Sequence, residues 1–437
     1  MRRSESFNDR MARVFWSEGD NGPGGETSPK TVTFQVTENC NLRCTYCYQG
    51  CKSGNKMTYD TAKKVIDQLL ASDEMTDKYI CTKKIKAVIF DFIGGEPTLE
   101  IDLIDKIMDY FIERAFLTCH PLAKRYMISM STNGTTYFTK PVQDFIKKWG
   151  DHLSLSVSID GNKKLHDSCR VFPDGSGSYD IAIAAAKDLI SKGVSIGSKM
   201  TIAPGNVQYL CEAVIGLIET GYREINLNCV YEEGWTIEHA RVLYEQLREL
   251  ADYLIGLEEQ PYVSMFGDWI GLPMKPDNNQ NWCGGTGCML AVDYQGKYYP
   301  CLRYMGSSLN HEQEPYEIGD LENGIMNTPV HKERVEHLAS ITRRSQSTDE
   351  CFNCPVASGC SWCSAYNYQV TGDPNKRVTY ICVMHKARVL ANARYWNKLY
   401  RKESSPKRYP VHLPKEDAVK IVGEAEYNDL LRLAEEV

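Results

Sequence analysis

An α/β fold with a parallel sheet, followed by a small cysteine-rich unit, is the fold class this sequence predicts. Three observations predict it. Strand-like and helix-like patterns alternate six times between residues 31 and 256, which is how a parallel sheet with covering helices is written in sequence. The Gly- and Ser-containing motifs fall where these strands end. Eight of the 17 cysteines lie between 283 and 382, after the alternation stops.

Residues 1–29 hold Ser, Gly, Asn and Pro without periodicity and read as a poorly ordered lead-in. The alternating part occupies 30–257. Thr31–Val36 is an apolar strand running into a loop with three cysteines, and Thr58–Ala71 has helical spacing with Thr58 as N-cap. Strand Ile85–Phe92 ends in Gly94-Gly95-Glu96-Pro97 and precedes helix Glu100–Ala115. Strand Tyr126–Ser131 ends in Ser131-Thr132-Asn133-Gly134 and precedes helix Thr139–Trp149. Leu153–Ile159 alternates cleanly and ends in Asp160-Gly161. Helix Tyr179–Lys192, strand Val194–Thr201, helix Val207–Thr220, strand Glu224–Val230 and helix Ile237–Gly256 follow. In barrels and open α/β sheets alike, ligands bind at the C-terminal edge of the strands, so these turns are expected to converge on one mouth. The Pro-, Gly- and Asn-rich composition of 271–287 marks a boundary, with 258–282 as a bridge. The unit 283–385 has short strands at Met289–Asp293 and Lys297–Tyr299, and 386–437 is a helical tail: the rest of a basic helix, Met384–Tyr400, a linker, Glu403–Pro414, and a terminal helix, Lys415–Glu436.

The formal charge of −7 and the lack of a basic stripe argue against nucleic acid as a partner. No window reaches the roughly 18 apolar residues of a membrane helix, and the N-terminus lacks an apolar signal core. A cytoplasmic location without membrane contact is the expectation, and in that compartment clustered cysteines point to metal rather than to disulfides. Six cysteines stand singly (Cys51, Cys81, Cys119, Cys169, Cys211, Cys229) and read as small buried apolar residues.

Cys40, Cys44 and Cys47, spaced C-x3-C-x2-C, sit on a short polar loop after an apolar strand. Three thiolates are one too few for a closed tetrahedral site or for every iron of a four-iron cluster. Such a set either borrows a fourth ligand or leaves a position open for chemistry. The later set reads Cys283-x4-Cys288-x12-Cys301, then Cys351-x2-Cys354-x5-Cys360-x2-Cys363-x18-Cys382. Eight thiols can complete two four-cysteine sites, and taken alone the two C-x2-C pairs also admit zinc. Three early and five late ligands fit two sites sharing one strip of chain, with Cys360 and Cys363 on different sites.

These motifs together resemble the radical S-adenosylmethionine (SAM) superfamily, in its members with a SPASM domain. C-x3-C-x2-C at 40–47 is similar to the superfamily signature, and Gly94-Gly95-Glu96-Pro97 to its GGEP motif. Ser158-Ile159-Asp160-Gly161 with His166-Asp167 and Arg170 looks like the family's SIDG…HD…R stretch, and Gly296-x4-Cys301 like a SPASM element. Another triplet, Cys44, Cys47 and Cys51, has the reverse spacing. The resemblance covers about 31–385 and implies a partial (β/α)6 TIM-type barrel followed by a SPASM domain. It implies that Cys40, Cys44 and Cys47 hold a [4Fe–4S] cluster whose fourth iron binds SAM. Tyr46, Gly94, Gly95, Glu96, Asn133, Ser158 and Arg170 would then contact SAM. It implies one auxiliary [4Fe–4S] cluster on Cys283, Cys288, Cys301 and Cys363, and a second on Cys351, Cys354, Cys360 and Cys382. For Arg170 the alternative is an ion pair with Asp167 or Asp174. For Glu96 the alternative is an acid that orients its turn.

The implied activity is that of an oxidoreductase in which a 5′-deoxyadenosyl radical takes hydrogen from a ribosomally made precursor peptide. A thioether or other cross-link would be the product. Implied partners are that peptide, Cys-rich or repeat-bearing among the options, an electron donor such as flavodoxin or ferredoxin, and a separate leader-binding protein. Only about 30 residues precede the first strand, against the roughly 80 of a winged-helix leader domain, so leader recognition is expected from a separate protein, from the C-terminal segment 403–437 or directly at the barrel mouth. Related readings are epimerisation and sulfatase-type maturation; against the latter, Leu302 stands where those enzymes carry an Asp. Outside enzymes stand an iron–sulfur electron carrier or scaffold, and a zinc-stabilised peptide-binding protein. The cluster Tyr231-Glu232-Glu233-Gly234-Trp235 either grips a peptide or forms a helix N-terminal loop.

Overall fold

A computed structural model describes residues 30–50, 52–71, 79, 87–194, 196–232, 234–281, 283–287 and 289–435. The lead-in 1–29, Cys51, Cys81, Glu233 and Cys288 lie outside the described residues.

Four parallel strands follow one another across the main sheet: β1 (Lys30–Thr37), β2 (Val88–Gly94), β3 (Tyr126–Thr132) and β4 (Leu153–Val157). Their alternation separates two chemistries. On one face Phe34, Phe90 and Phe92 pack outward, with Phe90 edge-on to Phe111 of helix Ile101–Leu117 at 4.5 Å. On the other face the register aligns Thr33, Asp91, Ser129 and Ser154 in one polar row inside the barrel. The helix Tyr59–Leu70 is capped by Thr58, whose Oγ1 accepts from Thr61 N at 3.0 Å.

β5 (Gly197–Ile202), β6 (Glu224–Cys229) and the two-residue β7 (Tyr262–Val263) form a second parallel ladder. All six expected strands are present, but among the described residues no ladder joins β4 to β5. At this seam Thr201 N, on β5, faces the Asp160 carboxylate at 3.4 Å. A side chain from the turn after β4 thus takes a place that a strand carbonyl would otherwise fill. The sequence gives no sign of this break, nor of the short helix Lys163–Cys169 that follows the turn.

The cysteine-rich unit extends the same sheet. β8 (Met289–Val292) pairs parallel with β1, from Thr31↔Met289 to Phe34↔Val292. β9 (Lys297–Tyr299), β10 (Gly319–Asp320) and β11 (Gly324–Ile325) continue antiparallel to give eight strands. Pairing with β8 covers the β1 edge, whose backbone groups would otherwise be open to another chain. Gln35, on the inner face of β1, donates to Ser307 Oγ at 2.8 Å, which lays the stretch after Cys301 over the barrel interior. The boundary expected near 271–287 is therefore a change of composition and not a gap in the structure.

Helix Cys382–Lys402 packs against helix Ile237–Gly256 and against Lys415–Glu435, which kinks at Gly423. The expected linker is held down: Tyr409 is buried, its hydroxyl donates to Ile270 O, and Asn397 Nδ2 donates to Tyr409 O at 2.9 Å. Among the described residues no helix is long and apolar enough to cross a membrane.

Gly161 turns the chain after β4 with φ +82°, and a Cβ there would lie 2.5 Å from Ala213 Cα. Gly161→Ala is expected to cost about 2–4 kcal/mol, left-handed strain plus overpacking, read as a lower denaturation midpoint of the iron-loaded protein.

Candidate active site

The three-cysteine loop is clamped from three sides. Glu96 N donates to Asn39 O (2.9 Å) and Gly95 N to Thr37 O (3.2 Å), fastening the GGEP turn to it. Arg43 N donates to Val171 O (2.7 Å) and Thr45 N to Cys169 O (3.0 Å), fastening the segment around Arg170. Asn133 Nδ2 donates to Asn41 Oδ1 (2.8 Å) and Asn41 Nδ2 to Thr135 Oγ1 (2.7 Å), fastening the STNG turn. Gly95 is glycine for the closeness of this packing: a Cβ there would stand 2.4 Å from Asn39 O and 2.6 Å from Cys40 Cβ. A Cβ on Gly94 would stand 2.5 Å from Thr37 O.

Within the loop the three thiols are electrostatic neighbours. Burial raises the pKa of Cys40, with Cys47 and Glu96 adding to it, and Leu42 N and Lys52 acting against it. Cys44 is likewise raised by burial, while Arg170 and Lys52 pull it down. Lys52 is anchored by Leu42 O at 3.0 Å. The loop is thus a buried thiol set with two cations beside it, an environment that favours thiolate ligands once a cluster is present.

Next to it lies a knot of buried polar groups. Asp160 is fully buried and takes Arg170 bidentately, Nε to Oδ2 at 2.8 Å and Nη2 to Oδ1 at 3.3 Å. The Tyr46 hydroxyl donates to the same carboxylate, and the Arg170 guanidinium lies 5.4 Å from the Tyr46 ring centre. Burial opposes the Arg170 charge, but Asp160 and Tyr46 outweigh it and hold the guanidinium protonated; burial and Asp160 keep the Tyr46 phenol protonated. Asp160 N donates to His166 Nδ1 at 3.3 Å, so His166 Nε2 is the donor to Ser178 Oγ at 2.9 Å. Burial, then Arg170, lowers His166 to about 4.

Glu96 is 1% exposed and saturated: Oε1 accepts from Thr98 N (3.2 Å), Thr98 Oγ1 (2.5 Å) and Thr132 Oγ1 (2.7 Å), and Oε2 from Asn133 N (2.7 Å). Burial raises its pKa despite these bonds.

The later cysteines fall into two groups. Cys283, Cys301 and Cys363 are mutual neighbours, and burial and this mutual proximity raise Cys301 and Cys363. Ser364 Oγ lies 3.1 Å from Cys283 Sγ. Cys351, Cys354, Cys360 and Cys382 line one cavity of about 330 Å³. Burial pushes Cys360 up to about 11, with Cys382, Cys354 and Cys351 adding and Arg377 opposing. Cys360 and Cys363, two residues apart in one C-x2-C, part company between these groups. No three described Cys, His, Asp or Glu side chains close on a site for a single metal ion. Spread thiols suit clusters, whose ligated irons are separate atoms.

Residues 34–210 match the radical SAM superfamily. The chain carries a radical SAM domain. It is 28% identical over 259 residues to an uncharacterized protein of Methanocaldococcus jannaschii, covering 55% of this chain and 83% of that one. It is 23% identical over 352 residues to mycofactocin maturase MftC of Mycolicibacterium smegmatis, covering 77% and 78%. The solved structure of native anSMEcpe with bound AdoMet and Kp18Cys peptide has the same fold, with TM-score 0.61 and 17% identity over 86% of this chain and 99% of that one.

Within the radical SAM domain several of the residues expected to meet SAM bond to one another. Glu96 ties Thr98 of its own turn to Thr132 and Asn133 of the STNG turn, the bonding of an acid that orients its turn. Arg170 is paired inside the protein, with Asp160 and not with Asp167 or Asp174. Asp167 instead accepts from Tyr179 N (2.9 Å) and Asp174 from Ser176 N (2.9 Å). Tyr46 and Asn133 likewise spend their polar groups on the frame. Ser158 sits at the end of β4 with its N–H on Thr132 O at 2.9 Å. Cys169, Cys211 and Cys229 are buried as expected of small apolar residues, and burial raises Cys211 to about 11 and Cys229 to about 12. Cys119 is not: it is exposed, with φ +52°, at a helix end.

Other residues were missed in the sequence. Tyr48 neighbours both Cys47 and Cys301 and so lies between the radical SAM loop and the second thiol set. Arg303 stacks over it at 5.4 Å and reaches Glu232 at 3.6 Å. Asp91, inside the barrel, is raised by burial while Ser129, Lys199 and Thr33 act against this. The one legible signal was an acid at the centre of an apolar strand, Val88–Gly94. Trp235 belongs to the helix N-terminal loop, its indole N–H bonded to Val230 O at 3.0 Å.

Asp160→Asn leaves Arg170 buried without a counter-charge and is expected to cost about 3–5 kcal/mol, measured by denaturant unfolding of the iron-loaded protein. His166 is fully buried with its pKa depressed from 6.5 to about 4. Its neutral form therefore contributes on the order of 3 kcal/mol above pH 6.5 that is lost as pH falls through 4. His166→Gln should flatten that part of the stability–pH curve.

Proposed function

We propose that this chain is a radical SAM peptide maturase with a SPASM domain. On this reading it acts on a ribosomally made precursor peptide and installs a thioether or another cross-link. The observation that carries the reading is that the first thiol set follows β1 and Cys283 and Cys301 flank β8 and β9 of the same sheet, with Tyr48, Arg303 and Glu232 between these two sets, while Cys351, Cys354, Cys360 and Cys382 gather around one cavity. Cys40, Cys44 and Cys47 would hold the cluster that binds SAM. When bound, SAM and this cluster supply one-electron chemistry able to remove hydrogen from an unactivated carbon. Cys283, Cys288, Cys301 and Cys363 would hold one auxiliary [4Fe–4S] cluster, and Cys351, Cys354, Cys360 and Cys382 the other.

The chain's own residues do the rest. Lys52 and Arg170 place positive charge beside the thiolates. Asp160 holds Arg170 and Tyr46 in one orientation, and Glu96 keeps two turns locked against the loop. The polar row Thr33, Asp91, Ser129 and Ser154 makes the barrel interior a receptor for a hydrogen-bonding side chain of the peptide. The maturase relatives support a peptide substrate, and Leu302 after Cys301 weighs against sulfatase-type maturation. An electron donor such as flavodoxin or ferredoxin completes the proposed assembly.

The test is anaerobic incubation with SAM, dithionite and the precursor peptide encoded beside the gene. Cys44→Ala is expected to bring 5′-deoxyadenosine to background. Cys351→Ala is expected to keep forming 5′-deoxyadenosine with little peptide product by mass spectrometry. An iron-loaded chain that never forms 5′-deoxyadenosine would be an electron carrier instead.

A further inference from the structure

Arg377 points its guanidinium at a sulfur. Nη2 lies 3.0 Å from Cys360 Sγ and 3.4 Å from the Cys360 carbonyl oxygen, while its backbone N–H donates to Gln346 O at 3.1 Å. Other sheltered arginines of this chain meet oxygen. Arg170 pairs with Asp160, Arg394 with Asp252 and Glu426, and Arg343 with three backbone carbonyls. Among the described residues no carboxylate lies within ion-pair distance of Arg377.

Its position is also unusual. Arg377 lines the cavity holding Cys351, Cys354, Cys360 and Cys382, and also an open cleft of about 830 Å³ walled by Trp269, Met274 and Trp362. Cys351, Cys360 and, from the other set, Cys283 line the same cleft, so Arg377 stands where the four-thiol site meets it. The other cation near this site, Lys386, is offset by Asp417 at 2.7 Å. At Cys283, Cys301 and Cys363 the arrangement differs. The nearby arginine there, Arg303, faces Glu232, and the polar contacts to sulfur come from neutral groups, the Ser364 hydroxyl at 3.1 Å from Cys283 Sγ and the Tyr366 N–H at 3.4 Å from Cys363 Sγ. One site has an unneutralised cation on a ligand sulfur, and the other does not.

An N–H···S bond and a positive charge both stabilise the more negative, reduced form of an iron–sulfur cluster. We infer that Arg377 is a positioning residue that sets a potential: it holds the site of Cys351, Cys354, Cys360 and Cys382 at a higher reduction potential than that of Cys283, Cys301 and Cys363. The inference rests on the proposal that both sites hold clusters. Its consequence is a direction: an electron leaving the site of Cys283, Cys301 and Cys363, which adjoins Tyr48 and the three-cysteine loop (the inner site), has the site of Cys351, Cys354, Cys360 and Cys382 (the outer site) as its favoured destination.

The test is a redox titration followed by electron paramagnetic resonance on the anaerobically reconstituted full chain, without substrate. Cys351→Ala and Cys354→Ala identify the outer signal by removing it. Arg377→Met is expected to lower the reduced-to-oxidised ratio of that signal about tenfold at fixed potential, equal to about 59 mV for one electron, with the other signals unmoved. Arg377→Lys should retain most of the unsubstituted ratio. If Arg377→Met does not keep its iron, Arg377→Gln decides, since it retains an N–H donor and loses the charge. An unmoved outer midpoint at full iron content overturns the role of Arg377 alone. Cysteine variants that remove no signal overturn the cluster assignment, and the inference with it.

Discussion

One buried carboxylate, Asp160, holds the candidate site in register. It binds Arg170 from the segment that clamps the cysteine loop, Tyr46 from that loop, and Thr201 N from the far side of the sheet seam. A buried acid alone would be expelled or neutralised, and a buried arginine alone would be worse. Together, with a phenol hydroxyl and a backbone N–H to satisfy the remaining lone pairs, they form a unit that is stable only in this geometry. The β4–β5 break also follows from it. Asp160 occupies the seam, so the barrel opens where the site needs room, and β5 is held by a side chain in place of a ladder.

The second constraint is continuity. β8 extends the barrel sheet on the free edge of β1, the strand that delivers Cys40, Cys44 and Cys47. The strand after the three-cysteine loop's own strand is thus, in space, the start of the cysteine-rich unit. Tyr48 and Arg303 complete the link at the level of side chains. Such a connection resists relative motion far better than a loop-tethered domain does, because moving one unit requires breaking strand pairs. The spacing between the three-cysteine loop and the Cys283 and Cys301 set is then fixed by sheet geometry.

Strands and helices were legible because their periods and end signals are local. Thr58 caps its helix as its position implies, and Ile237–Gly256 appears as a helix over the whole predicted span. The turns after β1, β2, β3 and β4 could be placed at one edge for the same reason. What could not be read is whatever depends on which groups meet. Asp160 precedes Arg170 by ten residues, as visible in the sequence as Asp167 or Asp174, yet only the fold shows which acid Arg170 faces. Glu96 has the composition of a ligand residue and the surroundings of a structural one: Thr98 is local, but Thr132 and Asn133 are brought near only by the β2–β3 pairing. Cys119 follows the same lesson, since a helix C-terminus in a left-handed conformation exposes a residue type that is usually buried. The β1–β8 pairing joins residues some 260 apart in sequence, beyond any local pattern.

The thiols themselves explain why so much of the chain is rigid. Burial raises Cys40, Cys44, Cys301, Cys360, Cys363 and Cys382, so without metal these groups are neutral thiols held in sites shaped for thiolates. Cluster binding must remove those protons, and the work of doing so falls on the metal and on nearby cations. The chain supplies the cations unevenly. Lys52 and Arg170 serve the first set, Arg303 the second and Arg377 the third, and of these three arginines only Arg377 has no acidic partner among the described residues. Two arginines spend much of their charge on holding the fold together, through Asp160 and Glu232. The third spends it on a sulfur, which makes the outermost site the one whose electronic state the protein can bias most directly.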